Sequence, residues 1–240
     1  MKPDDFLKFD SVHNRLLGKG VDLEALETAY GQIARCAQYS LLVHEMQSCR
    51  ACPLHRGAQR MVPGIGSLLS PLMLVGEGLG EMEELLGVPF IGDAGHILTM
   101  TLNTIGVDRQ QVYITNICHC RPPGNRTPSE SEAAACYPWL QRELRTVRPR
   151  VIVTLGNTAM QTLRQNPRLK ITTERGQWHT YDFSGREIAL LHTYHPSYVL
   201  RQLDSRSNSA VKNNFYKDLL MAVEKARELV PEYSWTLPQR

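Results

Sequence analysis

Pro71-Leu72-Met73-Leu74-Val75-Gly76-Glu77-Gly78-Leu79-Gly80 is the stretch that decides the fold. Its unbroken apolar run suits a strand buried on both faces, as in a parallel sheet, and the glycine-rich turn behind it lets backbone approach a ligand closely. Three further runs have the same length and character: 111–116 (QVYITN), 150–155 (RVIVTL) and 187–193 (EIALLHT). Between and after them lie helical patterns over 94–105, with Ile97, Leu98, Leu102 and Ile105, then 128–147, 157–165 and 212–229. The second pattern begins Thr127-Pro128-Ser129-Glu130, which predicts a capping box with proline at the first helical position. Upstream, Leu23, Leu26, Tyr30 and Ile33 recur at helical spacing, predicting a lead-in helix within 22–47 and a core role for Cys36 beside that stripe. Strand and helix alternate, so the expected class is α/β, a parallel sheet with helices on both faces and ligand chemistry at the carboxyl ends of the strands.

Those strand ends carry the candidate chemistry. They read Gly76-Glu77-Gly78-Leu79-Gly80, Thr115-Asn116, Gly156-Asn157 and Thr193-Tyr194-His195-Pro196-Ser197. A dinucleotide fingerprint would need glycine at 76, 78 and 81, but position 81 is Glu81, which would repel a pyrophosphate. Asn116 offers a carboxamide that can donate and accept, suited to reading a base edge, although an asparagine there more often caps a strand end. His195 precedes proline and is therefore held extended. Phe90, between Gly87 and Gly92, could stack on a base or staple its loop to the core.

Composition sets outer bounds. The 240 residues suffice for one generous domain, and 42% hydrophobic with 21% charged residues excludes disordered and collagen-like classes. No apolar run reaches the roughly 20 residues of a membrane span, and the acidic start is unlike a signal peptide, so a soluble, cytoplasmic protein is expected. The net charge of +3 conceals an uneven distribution: eight Lys or Arg against two acids from Arg142 to Arg175, and five acids with no base from Glu77 to Asp93. Six cysteines, at 36, 49, 52, 118, 120 and 136, are too few for a disulfide scaffold. The C-x2-C pair Cys49 and Cys52 points to metal or redox chemistry. With Cys120 and Cys136 as scattered further ligands, the spacing leaves an iron-sulfur cluster, a zinc site and plain buried thiols all open.

Taken in order, several motifs cease to be independent. They are C-x2-C-P-L (49–54), G-E-G-x-G (76–80), G-x-P-F-x-G-x-A-G (87–95), Y-I-T-N-I-x-x-C-R-P-P (113–123), a cysteine 16 residues after Cys120, and Y-H-P-S-Y (194–198). Together, over about Cys49 to Phe215, they closely resemble the family 4 uracil-DNA glycosylases. The resemblance implies a three-layer α/β sandwich around a four-stranded parallel sheet: a catalytic domain over 49–230, with a helical lead-in at 1–48 and a tail at 231–240. It implies a 4Fe-4S cluster on Cys49, Cys52, Cys120 and Cys136, serving structure rather than turnover.

It further implies a monofunctional, monomeric enzyme that releases uracil from single- or double-stranded DNA and leaves an abasic site. The flipped uracil would stack on Phe90, present its edge to Asn116 and meet the backbone around Glu77 and Gly78. His195 would donate to uracil O2, and Glu83 would stand near C5, where thymine carries its methyl. Ser197 would contact a phosphate, and Tyr198, Leu200 and Arg201 would belong to a wedge that fills the vacated stack. Gly78 stands where family 1 relatives carry a water-activating aspartate, so the rate would rest on stabilising the departing base. Two departures stand out. Leu79 replaces the usual proline of the first turn, and the polar run from Asp204 to Asn214 is longer than the family pattern. A catalytically impaired or uracil-trapping DNA-binding relative is the alternative, although the basic segment of the trapping relatives is missing.

Overall fold

A computed structural model describes residues 23–202 and 209–236 of the chain. Five strands, β1 (Leu72–Gly76), β2 (Tyr113–Asn116), β3 (Val151–Leu155), β4 (Trp178–Phe183) and β5 (Arg186–Thr193), form one sheet in the order β2-β1-β3-β5-β4. The four strands expected from their apolar runs are mutually parallel, with Met73 beside Tyr113, Leu72 beside Val151 and Val151 beside Ala189. β4 is an addition to that expectation: it pairs antiparallel with β5 at the sheet edge.

The α/β sandwich follows from how the strands divide their side chains. Successive residues point to opposite faces, and both faces are covered. Met73, Val75, Tyr113, Ile152 and Leu190 join one core with Leu42 and Met46 of α1 (Leu23–Met46) and Leu140 and Leu144 of α4 (Glu130–Val147). Leu72, Leu74, Ile114, Val153 and Leu191 join the other with Leu98 and Leu102 of α3 (Asp93–Thr104) and Phe215, Leu219 and Val223 of α8 (Ser209–Leu229). The short helices α2 (Glu81–Leu86), α5 (Asn157–Arg164), α6 (Ile171–Glu174) and α7 (Pro196–Arg201) follow strand ends or connect them.

Two local expectations are corrected. The capping box of α4 is real but lies two residues later, with Pro128 just ahead of the helix: Ser129 is the N-cap, its hydroxyl accepts from the Glu132 N–H, and the Glu132 carboxylate accepts from the Ser129 N–H. On α1, Tyr30 and Ile33 are exposed, as is Cys36, because the helix meets the core through Leu42 and Met46 near its carboxyl end. Residues 1–22 of the expected lead-in, 237–240 of the tail and 204–208 of the long polar run lie outside the described residues; 209–214 of that run open α8.

β1 lies between β2, reached through α2 and α3, and β3, reached through α4. The connection out of β1 runs outward to β2 and that out of β3 runs the other way, to β4 and β5, which opens a crevice at the carboxyl ends of β1 and β3.

Candidate active site

Asn116 is the last residue of β2 and pairs in register with Gly76, the last of β1. Its side chain is buried at 2% exposure, and its Oδ1 has no hydrogen-bond partner. A methyl group on Gly76 would fall on both Asn116 Oδ1 and the Phe90 ring, so only glycine lets the carboxamide and the aromatic face share the space above this rung. Phe90 takes a left-handed backbone conformation (φ 52°), uncommon for an aromatic residue, and its ring stands 5.7 Å from the His195 ring at a tilt of 34°.

His195 follows β5 and is the N-cap of α7, extended as its proline neighbour requires. The Ser197 backbone N–H donates to His195 Nδ1 at 3.2 Å, and the Ser197 hydroxyl lies 2.8 Å from the same nitrogen. Since Nδ1 accepts, the proton of the neutral ring sits on Nε2. Burial, reinforced by the Arg201 charge, pushes the imidazole pKa down to about 4, so the ring is a neutral donor at physiological pH.

Phe90 and His195 border a cavity of about 330 Å³ whose wall also includes Glu77, Gly78, Glu83 and Arg201, and the Asn116 carboxamide lies behind the Phe90 ring at Gly76. Thr158 at the start of α5 donates to Glu77 Oε2 at 2.5 Å, fixing one carboxylate at the cavity wall. Glu83 Oε1 accepts from the N–H groups of Ile91 and Gly92, at 3.0 and 2.8 Å, and so braces the Phe90 loop. Leu79, where proline was expected, is buried at 3% exposure. The lining also includes Asn125 and Arg126. Arg121 donates to Asn125 Oδ1 and pairs with Glu81 and Glu84, while Arg126 forks onto both oxygens of Glu132, which holds that carboxyl at about 2.

The structure thus brings Glu77, Gly78, Glu83, Phe90, Asn116 and His195 to one crevice, with Ser197 and Arg201 at its edge. Tyr198 and Leu200 are half-buried in α7, Tyr198 packing on Tyr194 with ring centres 5.2 Å apart. Three of the eight bases in the stretch from 142 to 175 are engaged internally: Arg142 pairs with Glu45, Arg164 with Glu174, and Arg175 with Asp218.

A family model described as the uracil DNA glycosylase superfamily matches residues 63–220. The chain belongs to the uracil-DNA glycosylase superfamily. It is 38% identical over 164 residues to the type-4 uracil-DNA glycosylase of Saccharolobus solfataricus, covering 67% of this chain and 76% of that protein. It is 41% identical over 162 residues to that of Archaeoglobus fulgidus, covering 66% and 81%, and 38% identical over 190 residues to that of Thermotoga maritima, covering 79% and 93%. Membership places it, at the level of the superfamily, among glycosylases of DNA base-excision repair. Among the described residues, no helix is long and apolar enough to cross a membrane.

The metal expectation is corrected. Among the described residues, no group of three or more His, Cys, Asp or Glu side chains is placed to hold a metal ion, so Cys49, Cys52, Cys120 and Cys136 do not fit a 4Fe-4S cluster. All six cysteines are free thiols, and several of the sulfurs have other partners. The neighbouring Cys118 and Cys136 sulfurs interact, which raises the Cys118 pKa and lowers that of Cys136, and the His119 N–H donates to Cys136 Sγ at 3.4 Å. The Trp139 indole donates to Cys49 Sγ at 3.3 Å. Cys118, outside the implied ligand set, is part of this packing.

Proposed function

We propose that this protein hydrolyses the N-glycosidic bond of uracil in DNA, releasing the free base and leaving an abasic site. The observation that carries the reading is the Asn116 carboxamide, whose buried, unpartnered Oδ1 stands beside the Phe90 ring. A buried acceptor without a donor costs about 1–3 kcal/mol, so the site favours a ligand that supplies an N–H there. Uracil N3–H does so, and O4 accepts from the same amide. Cytosine presents a lone pair and an amino group at those places, leaving both ends of the carboxamide mismatched.

Cleavage sends an electron pair into the departing base and leaves an oxocarbenium-like sugar. The neutral His195 donates from Nε2 toward O2, where negative charge grows in the transition state, and the tautomer for that task is already set by Ser197. Glu77, held by Thr158, places negative charge at the cavity wall where the cationic sugar forms and where water must add. Glu83 narrows the cavity on the side assigned to C5, disfavouring a thymine methyl. Arg126 and Arg201 at the rim, with Ser197, supply positive charge and donors for phosphates, and Tyr198 and Leu200 would follow the base into the opened stack.

The test incubates the purified protein with a uracil-containing oligonucleotide, then separates free uracil and, after alkali, the cleaved strand. Release of uracil that is lost in a Phe90→Ala, Asn116→Ala double variant is the expected result. Absence of release from single- and double-stranded substrates would overturn the proposal and favour a DNA-binding role.

A further inference from the structure

Phe90 is held by two charged groups from opposite sides. Arg109, in the turn between α3 and β2 and 19 residues from Phe90, donates from Nη1 to the Phe90 carbonyl at 2.6 Å and from Nη2 to the Pro89 carbonyl. Thr99 Oγ1, on α3, accepts from the same Nη1 at 2.9 Å and fixes the guanidinium. On the other side, Glu83 takes the next two backbone N–H groups. Carbonyls 89 and 90 thus face a cation, and N–H groups 91 and 92 face an anion. The peptide dipoles around Phe90 are aligned between the two charges. An aromatic residue at φ 52° needs such support, since left-handed backbone is strained for a bulky side chain. Half-buried in this packing, Arg109 gives up hydration to make these bonds, an arrangement that a surface arginine has no reason to adopt.

We infer that Arg109 is a positioning residue, which with Glu83 locks Phe90 in the orientation that receives the extruded base. The inference rests on the reading of Phe90 as the stacking face. Lysine cannot replace arginine here, because a single ammonium cannot span two carbonyls and the Thr99 hydroxyl in the planar fork that guanidinium offers.

The experiment measures single-turnover uracil release and oligonucleotide affinity for the wild type, Arg109→Ala, Arg109→Lys, Phe90→Ala and the Arg109→Ala, Phe90→Ala pair, each at a temperature where circular dichroism shows it folded. Loss of the lock is expected to lower the chemical rate about 10- to 100-fold, the range that a misplacement of about 1 Å produces, with DNA affinity changed less than threefold. The double variant should be no slower than Phe90→Ala, and Arg109→Lys should resemble Arg109→Ala. If Arg109→Ala does not fold, Arg109→Lys carries the same comparison. A wild-type rate in the arginine variants, or losses that multiply in the double variant, would overturn the positioning role while leaving the glycosylase reading intact. A Phe90→Ala variant as fast as the wild type would instead remove the stacking role, and with it this inference. A wild type that releases no uracil overturns the function itself.

Discussion

Replacing Gly95 by alanine sets two energies of opposite sign against each other. Gly95 lies in the first turn of α3, where alanine is intrinsically preferred over glycine by about 1 kcal/mol in a helix interior. Propensity alone therefore predicts a stabilised protein. The surroundings predict the reverse. A methyl group at Gly95 would stand 2.8 Å from Phe90 Cα and closer still to its carbonyl carbon and oxygen. Restoring even the tightest ordinary contact of 3.4 Å moves Phe90 Cα by at least about 0.6 Å, and its carbonyl further. That carbonyl is the one bound by Arg109 at 2.6 Å, so it cannot retreat without losing a charge-assisted hydrogen bond. Overpacking of this kind costs about 1–3 kcal/mol, and a strained hydrogen bond to a charged group adds up to about 1.5–3 kcal/mol. The net expectation for Gly95→Ala is a loss of about 1.5–5 kcal/mol, measured by urea unfolding, with a drop of at least tenfold in uracil release measured on the folded protein. A variant that is more stable than the wild type and releases uracil at the wild-type rate would refute the packing account of the Phe90 loop.

The remaining predictions concern pH and buried charge. With His195 held down to about 4, the acid limb of uracil release should fall near pH 4 rather than at the ordinary histidine value of about 6.5; a limb centred near 6.5 would contradict a neutral donor. His192, with Nδ1 2.7 Å from Thr154 Oγ1, is likewise pushed down, to about 3, by burial and then by His179 and Arg164. Both rings bind protons more weakly folded than unfolded. Their effect on stability is therefore constant above about pH 6.5 and grows more unfavourable as pH falls from there toward 3, which urea midpoints across that window would show; midpoints that do not fall would contradict it. Asp218, at 1% exposure, accepts from Nε and Nη2 of Arg175 and from the Thr193 hydroxyl. Arg175→Ala strands that carboxylate and should cost about 3–5 kcal/mol in urea unfolding; a loss below 1 kcal/mol would mean that water or another donor replaces the guanidinium.

What could be read from the sequence follows a physical division. The four parallel strands are continuous apolar runs because both sheet faces are buried, and such runs stand out. β4 does not stand out: at the edge it exposes Trp178, Thr180 and Asp182 while burying Tyr181 and Phe183, so it offers no apolar run. The stripe of Tyr30 and Ile33 has the correct period for a helix, and the helix is there. Periodicity names a helix without saying which portion of its length meets the core. The site groups were legible through motifs whose residues lie close in sequence. Arg109 was not, since its link to Phe90 depends on how α3 folds back on the loop, and no local pattern marks it. The N–H and hydroxyl of Ser197 also lie at His195 Nδ1, a relation set by the cap geometry of α7 that the motif does not announce. The cysteine spacing suggested metal ligation because sequence distance says nothing of which thiols pair, and here Cys118 turns toward Cys136.

Asn116 and His195 hang from different kinds of support. The carboxamide belongs to the final rung of a parallel ladder, opposite Gly76. Sliding β2 by one residue would turn Asn116 to the other face, so its placement is as secure as the pairing of the sheet itself. His195 stands beyond the last strand, on a cap of a six-residue helix, steadied by the polar atoms of a single serine. Recognition of the base is thereby built into the frame, while the group that assists its departure rests on a support that can yield. Thermal softening should therefore erode turnover before it blurs the distinction between uracil and cytosine.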